Sequence, residues 1–107
     1  LFKRQVLAGL PMTIVGDGEQ RRDFTHVKDV VSANLKAAFS DVNFGTYNVG
    51  TGVNYSINEL AKMIGENVSY IEPRPAEIRE TLADITTTIN DIGWTPSMSL
   101  PDYVLSY

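Results

Sequence analysis

The sequence predicts a small mixed α/β domain of short strands and about four helices, and three observations carry that prediction. Apolar residues recur at helical spacing in several windows, with short β-prone runs between them. Asp17-Gly18 lies between two of those runs as a hairpin signal, which argues against a doubly wound parallel sheet. The chain has 107 residues, enough for one domain with a modest core but without room for a complete dinucleotide-binding fold.

Phe2, Val6, Leu7 and Leu10 give a helical spacing that Gly9 and Pro11 end. Met12 to Val15 reads as a strand that should pair, across the Asp17-Gly18 turn, with a run through Phe24. On that second strand Arg22, Phe24 and His26 would share one face, with Asp23 and Thr25 on the other. Asp29 can sit at a helix start, and Val27, Val31, Leu35, Ala38 and Phe39 form a stripe expected to pack on a sheet. Gly45 to Val49 reads as a buried strand. Ser56-Ile57-Asn58-Glu59 matches a capping box, followed by the stripe Ile57, Leu60, Ala61 and Ile64. Val68 to Ile71 predicts a strand, after which Pro73-Arg74-Pro75 must leave it and hold Arg74 on stiff, extended backbone. Thr86 is expected to cap a short helix through Ile92, with Gly93 past its end and Trp94 as a core plug. A further helical pattern begins at Pro101 and runs to Tyr107. Opening in mid-helix and closing as a helix begins, the sequence predicts one domain of a longer chain.

Composition excludes several classes of function. The net charge is -4, with nine basic residues scattered among thirteen acidic ones, so no basic stripe exists for nucleic acid. There is no cysteine, which excludes disulfides and thiolate metal sites and leads to the cytoplasm as the expected compartment. No apolar run approaches the ~20 residues of a membrane span, and the opening residues do not read as a signal peptide. His26, the single histidine, has no second histidine or cysteine to share a metal, and no serine or cysteine motif makes it catalytic. Asp23, Asp29, Glu77 and Asp84 are widely spaced, so no acid-base pair is predicted and no catalytic residue is assigned. Gly16-x-Gly18 and Gly50-x-Gly52 read as turns, since neither opens a Gly-x-Gly-x-x-Gly fingerprint.

Three segments remain: Gly16 to Asp29, Tyr47-Asn48-Val49-Gly50-Thr51-Gly52, and Pro73-Arg74-Pro75-Ala76-Glu77-Ile78-Arg79. In that order they resemble the carboxyl-terminal part of NAD-dependent nucleotide-sugar epimerases and dehydratases, the extended short-chain dehydrogenase/reductase family. The resemblance covers nearly the whole chain. Gln20, Arg22, Asp23 and Phe24 match the family's Gln-x-Arg-Asp-Phe/Tyr pattern, whose arginine meets the diphosphate of the nucleotide sugar; the alternative is an ordinary surface arginine. A guanidinium fork suits that role because it donates two parallel hydrogen bonds and stays charged. Arg74 and Glu77 match the family's Arg-x-Gly-Asp/Glu turn, implying a second phosphate ligand and an acceptor for the ribose hydroxyls. Ala76 departs from that pattern, standing where the family has glycine. The alternatives for Glu77 are a helix-start carboxylate or an ion-pair partner of Arg79. Asn48 and Gly50 match a Tyr-Asn-x-Gly segment read as packing and turn.

The resemblance thus implies a substrate-binding domain, residues 1–107, with Arg22, Arg74, Glu77, Gln20 and Phe24 on the nucleotide sugar. Neither a dinucleotide fingerprint nor a Tyr-x-x-x-Lys pair occurs in the chain, so NAD and the chemistry are expected in an absent Rossmann domain. This chain would be inactive alone, and its parent would be a homodimer. Within the family it is most like nucleoside-diphosphate-sugar 4-epimerases of the UDP-glucose/UDP-galactose type. The reaction implied is loss of hydride from sugar C4, rotation of the 4-keto sugar and return of hydride to the opposite face. The alternatives are a 4,6-dehydratase or decarboxylase substrate domain, or a non-catalytic nucleotide-sugar binding module.

Overall fold

In the computed structural model, which describes residues 1–42 and 45–106, nine elements follow one another. They are α1 (Phe2–Leu7), β1 (Met12–Val15), β2 (Arg21–Arg22), α2 (Val27–Ala38), β3 (Tyr55–Ser56), α3 (Ile57–Ile64), β4 (Val68–Ile71), α4 (Thr86–Ile92) and α5 (Leu100–Ser106). The mixed α/β class with short strands matches expectation, with five helices among the described residues where about four were expected. Tyr107, at the end of the last expected helix, lies outside the described residues. The chain divides into two units, one of residues 1–22 and 55–81, the other of 23–54 and 82–106 within the described range.

In the first unit Met12 and Ile14 point inward from β1 and pack with Ala61 of α3, flanked by Phe2, Ile57, Ile64 and Val68. β1 pairs in parallel with β4, Met12 opposite Val68 and Val15 opposite Ile71. Parallel pairing needs a long crossover, and the 52 residues between Val15 and Val68 provide it. The expected hairpin does not form. Gly16 and Gly18 do turn the chain, at φ of 70° and 75°, but the side chain of Gln20 donates to the Val15 carbonyl at 2.9 Å, and the ladder of β1 belongs to β4. β2 pairs antiparallel with β3 instead, Arg21 opposite Ser56 and Arg22 opposite Tyr55. On its other side the Arg21 backbone exchanges hydrogen bonds with Arg79 and Thr81, drawing the segment after Pro75 alongside β2. The extended run ends at Arg22, so the alternation expected through His26 has no strand to carry it.

α3 starts as predicted: the Ser56 hydroxyl accepts from the Glu59 amide at 3.0 Å. The Glu59 carboxylate lies below the usual range chiefly because Arg21 donates to it at 2.7 Å, with Ser56 adding smaller contributions.

In the second unit Trp94, 1% exposed, packs with Ala33 and Ile92 and is ringed by Val42, Tyr47, Val49 and Ile85. Its indole N–H donates to the Ser32 hydroxyl at 2.8 Å. α2 faces this core with Ala33 and the carboxylate of Asp29, not with the expected stripe: Leu35 is 55% and Phe39 86% exposed, and Val27 and Val31 are exposed as well. Asp29 wins the inward position because its carboxylate caps the 97–98 backbone, accepting from Ser97 N and Oγ and from Met98 N. The helix start itself is capped by His26, whose Nδ1 accepts from the Lys28 amide at 3.0 Å.

Gly45 to Val49 is not a strand. The Asn48 carbonyl accepts from the Thr88 hydroxyl and its side chain donates to the Asp84 carbonyl, so side-chain bonds replace a ladder. Thr86 is the first residue of α4, not its cap; its amide donates to Asp84 Oδ1 at 3.1 Å. Gly93 ends the helix in the left-handed region at φ 67°, as expected.

Candidate functional site

The first unit carries a hollow of about 660 Å³ where the carboxyl ends of β1 and β4 meet the turn after Pro73. Gln20, Arg74 and Glu77, all expected from sequence, line it. Gln20 is buried and its amide N–H is engaged on Val15, which makes it part of the floor. Arg74 is exposed and forms no hydrogen bond or ion pair among the described residues, leaving its donors available. Arg22 is not on the lining, but it reaches it: Nη2 donates to Glu77 Oε1 at 3.0 Å, and Nη1 to the Arg21 carbonyl at 2.8 Å. Glu77 is therefore held by Arg22 and not by Arg79, the ion-pair partner that the sequence suggested.

Arg79 instead grips Asp17 on the same lining, Nη1 to Oδ1 at 2.9 Å and Nη2 to Oδ2 at 3.2 Å. The Arg79 hydrogen bond, followed by the Glu19 amide, holds the Asp17 carboxyl below its usual value, and Asp17 in turn raises Arg79. Sequence reading took Asp17 only as a turn residue and Arg79 only as a rival partner. The signal available was an acid in a glycine turn, but the contact spans 62 positions and no local spacing encodes it. Glu72 adds another acid, so the wall mixes carboxylates with the guanidiniums of Arg74 and Arg79.

The turn that presents Glu77 keeps a glycine-like shape without glycine. Ala76 stands at φ 60° directly after Pro75, the Pro-then-positive-φ pattern of a type II turn. An L-residue pays about 1 kcal/mol for this.

Known proteins resemble this chain over most of its length. A model of the NAD dependent epimerase/dehydratase family matches residues 1–50. The chain is 33% identical to UDP-glucose 4-epimerase of Mycolicibacterium smegmatis, over 95% of this chain and 34% of that protein. It is 32% identical to UDP-glucuronic acid decarboxylase 2 of Arabidopsis thaliana, over 92% of this chain and 23% of that one. The crystal structure of UDP-glucose 4-epimerase from Thermotoga maritima with UDP-glucose superposes with a TM-score of 0.86 at 35% identity, over 96% of this chain and 35% of the other. These matches show an NAD dependent epimerase/dehydratase domain. The chain spans about a third or less of the length of these relatives.

For a domain of an NAD-dependent family, glycine turns are where a dinucleotide cradle would be sought. Both of the turns present are filled by protein. A Cβ on Gly18 would run into the Asn58 side chain, and one on Gly50 into Ala83 and Asp23. These glycines make room for neighbouring side chains, so neither turn is a dinucleotide cradle.

Phe24 belongs to the second unit. It lines a cavity of about 280 Å³ with His26, Met98 and Tyr103, where the His26 and Tyr103 rings meet edge-on at 5.2 Å. Its neighbour Asp23, unassigned from sequence, staples three backbone segments. Its carboxylate accepts from the amides of Thr51, Gly52 and Ala83 and from the Thr51 hydroxyl at 2.6 Å. Burial pushes Asp23 up, yet the Thr51 hydroxyl and these amides outweigh it and hold the group below its usual value. Among the described residues no cluster of His, Asp or Glu could hold a metal, and no helix is long and apolar enough to cross a membrane.

Proposed function

We infer that this chain is the substrate-binding, carboxyl-terminal domain of a nucleoside-diphosphate-sugar 4-epimerase of the UDP-glucose type. Arg74 and Arg22 bind the diphosphate, Glu77 accepts from the ribose hydroxyls, and Gln20 frames the hollow. The observation that carries the reading is the convergence of Gln20, Arg74 and Glu77 on one hollow, with Arg74 lacking a partner among the described residues and Glu77 holding Arg22. An exposed guanidinium beside a carboxylate bound to a second guanidinium suits a ligand that brings both phosphate oxygens and a diol.

NAD would supply the hydride acceptor, bound by a Rossmann domain outside these 107 residues. The residues described here do not form its cradle, and their part is to bind and orient. Anchoring the unreactive nucleotide end positions the sugar for reaction while leaving the hexose free to turn. The parent protein is proposed to be a cytoplasmic homodimer.

Calorimetric titration of UDP into the 107-residue chain tests the site. Arg74→Gln should weaken binding about tenfold or more, the value of a charge-assisted hydrogen bond, without lowering the melting temperature. Equal affinity in both proteins would remove Arg74 from the site. The similarity to a plant UDP-glucuronic acid decarboxylase favours decarboxylation as the second reading. Product analysis of the longer protein with UDP-glucose, UDP-glucuronic acid, UDP-N-acetylglucosamine and dTDP-glucose separates the two.

A further inference from the structure

The two groups assigned to different parts of the ligand hold each other. Arg22 Nη2 lies 3.0 Å from Glu77 Oε1, and the side chains are 23% and 37% exposed. A pair so open to water is held weakly and can be exchanged. We propose that the Arg22–Glu77 ion pair is a resident competitor that makes the site select nucleoside diphosphates over bare phosphates. This rests on the proposed function.

A diphosphate reaching the hollow can bind Arg74 directly, because that guanidinium has no partner among the described residues. To engage Arg22 through the Nη2 N–H that Glu77 holds, it must take the place of Glu77. The displaced carboxylate then stands beside an anion on a wall that already carries Asp17 and Glu72. Inorganic pyrophosphate offers that carboxylate nothing. A nucleoside diphosphate offers a vicinal diol whose hydroxyls donate to it, so the carboxylate that penalises the bare anion rewards the nucleotide. Glu77 thus works twice, opposing anions that lack a sugar and accepting from those that have one. The strained Ala76 immediately before it fixes the backbone from which the carboxylate makes either contact.

The test compares inorganic pyrophosphate and UDP as calorimetric probes of wild type, Glu77→Gln, Arg22→Gln and the double variant. Glu77→Gln should tighten pyrophosphate about threefold, the release of an exposed ion pair, while weakening UDP. In the Arg22→Gln background the same change should tighten pyrophosphate by clearly less, because the competition acts through Arg22 and only the repulsion of one carboxylate remains. Pyrophosphate binding that is unchanged or weaker in Glu77→Gln overturns the proposal. So does a gain equally large without Arg22, which would be the field effect of one removed charge alone. UDP binding that requires Arg74 alongside a flat response to Glu77→Gln overturns the competitor alone. Failure of both probes to bind wild type and Glu77→Gln removes the proposed function and the competitor together.

Discussion

Arg79 holds Asp17 with both guanidinium nitrogens across 62 positions of sequence, on the same hollow where Arg74 has no partner among the described residues. The two arginines are therefore not equivalent toward an anion. Arg79→Gln unpairs Asp17 and exposes a carboxylate to the ligand, so UDP affinity should fall only about two- to threefold by through-space repulsion. Arg74→Gln should cost at least a further factor of a few. Calorimetry on both variants checks the order, and a larger loss from Arg79→Gln would transfer the anchoring role to it.

Ala76→Gly should stabilise the chain. The φ of 60° at Ala76 costs an alanine about 1 kcal/mol that glycine escapes, partly offset by the greater freedom of glycine in the unfolded chain. A net gain of about 0.5 kcal/mol in urea unfolding is expected. A loss would show that the alanine methyl group contributes packing.

Asp29 sets an acid limit on stability. Burial pushes its carboxyl up, but the Ser97 hydroxyl and the Met98 and Ser97 amides outweigh that and keep it below 3.8 in the fold. At low pH the unfolded chain therefore binds the proton first, and stability rises with pH through that range. This contribution should be complete above pH 3.8 and disappear as pH falls through the folded value. Asp29→Asn should cost about 2 kcal/mol at neutral pH, since an amide nitrogen faces backbone donors, and should flatten the acid limb of a denaturation series. An unchanged limb would assign it to other carboxylates.

The exposed stripe of α2 gives a test between two faces of one helix. Leu35→Gln should change stability by less than about 0.5 kcal/mol, because Leu35 is 55% exposed. Ala33→Leu should cost about 1–3 kcal/mol by overpacking against Trp94 and Ile92. Thermal unfolding followed by the fluorescence of the single tryptophan distinguishes them, and a large loss from Leu35→Gln would mean that the stripe is covered.

Local chemistry was legible in the sequence. The Ser56 cap, the Gly93 stop and the Trp94 plug each follow from a residue's own conformational limits or from neighbours within a turn, and each stands as read. Gln20, Arg74 and Glu77 could be named because their spacing matches a family pattern. Pairing and facing were decided only in three dimensions. Gln20 occupies the Val15 carbonyl that a hairpin needed, Asp29 displaces a valine stripe from the core because three donors converge on it, and Arg22 reaches Glu77 across 55 positions. Such contacts depend on which segments the packed core brings together, a property of the whole chain that spacing within any one segment does not contain.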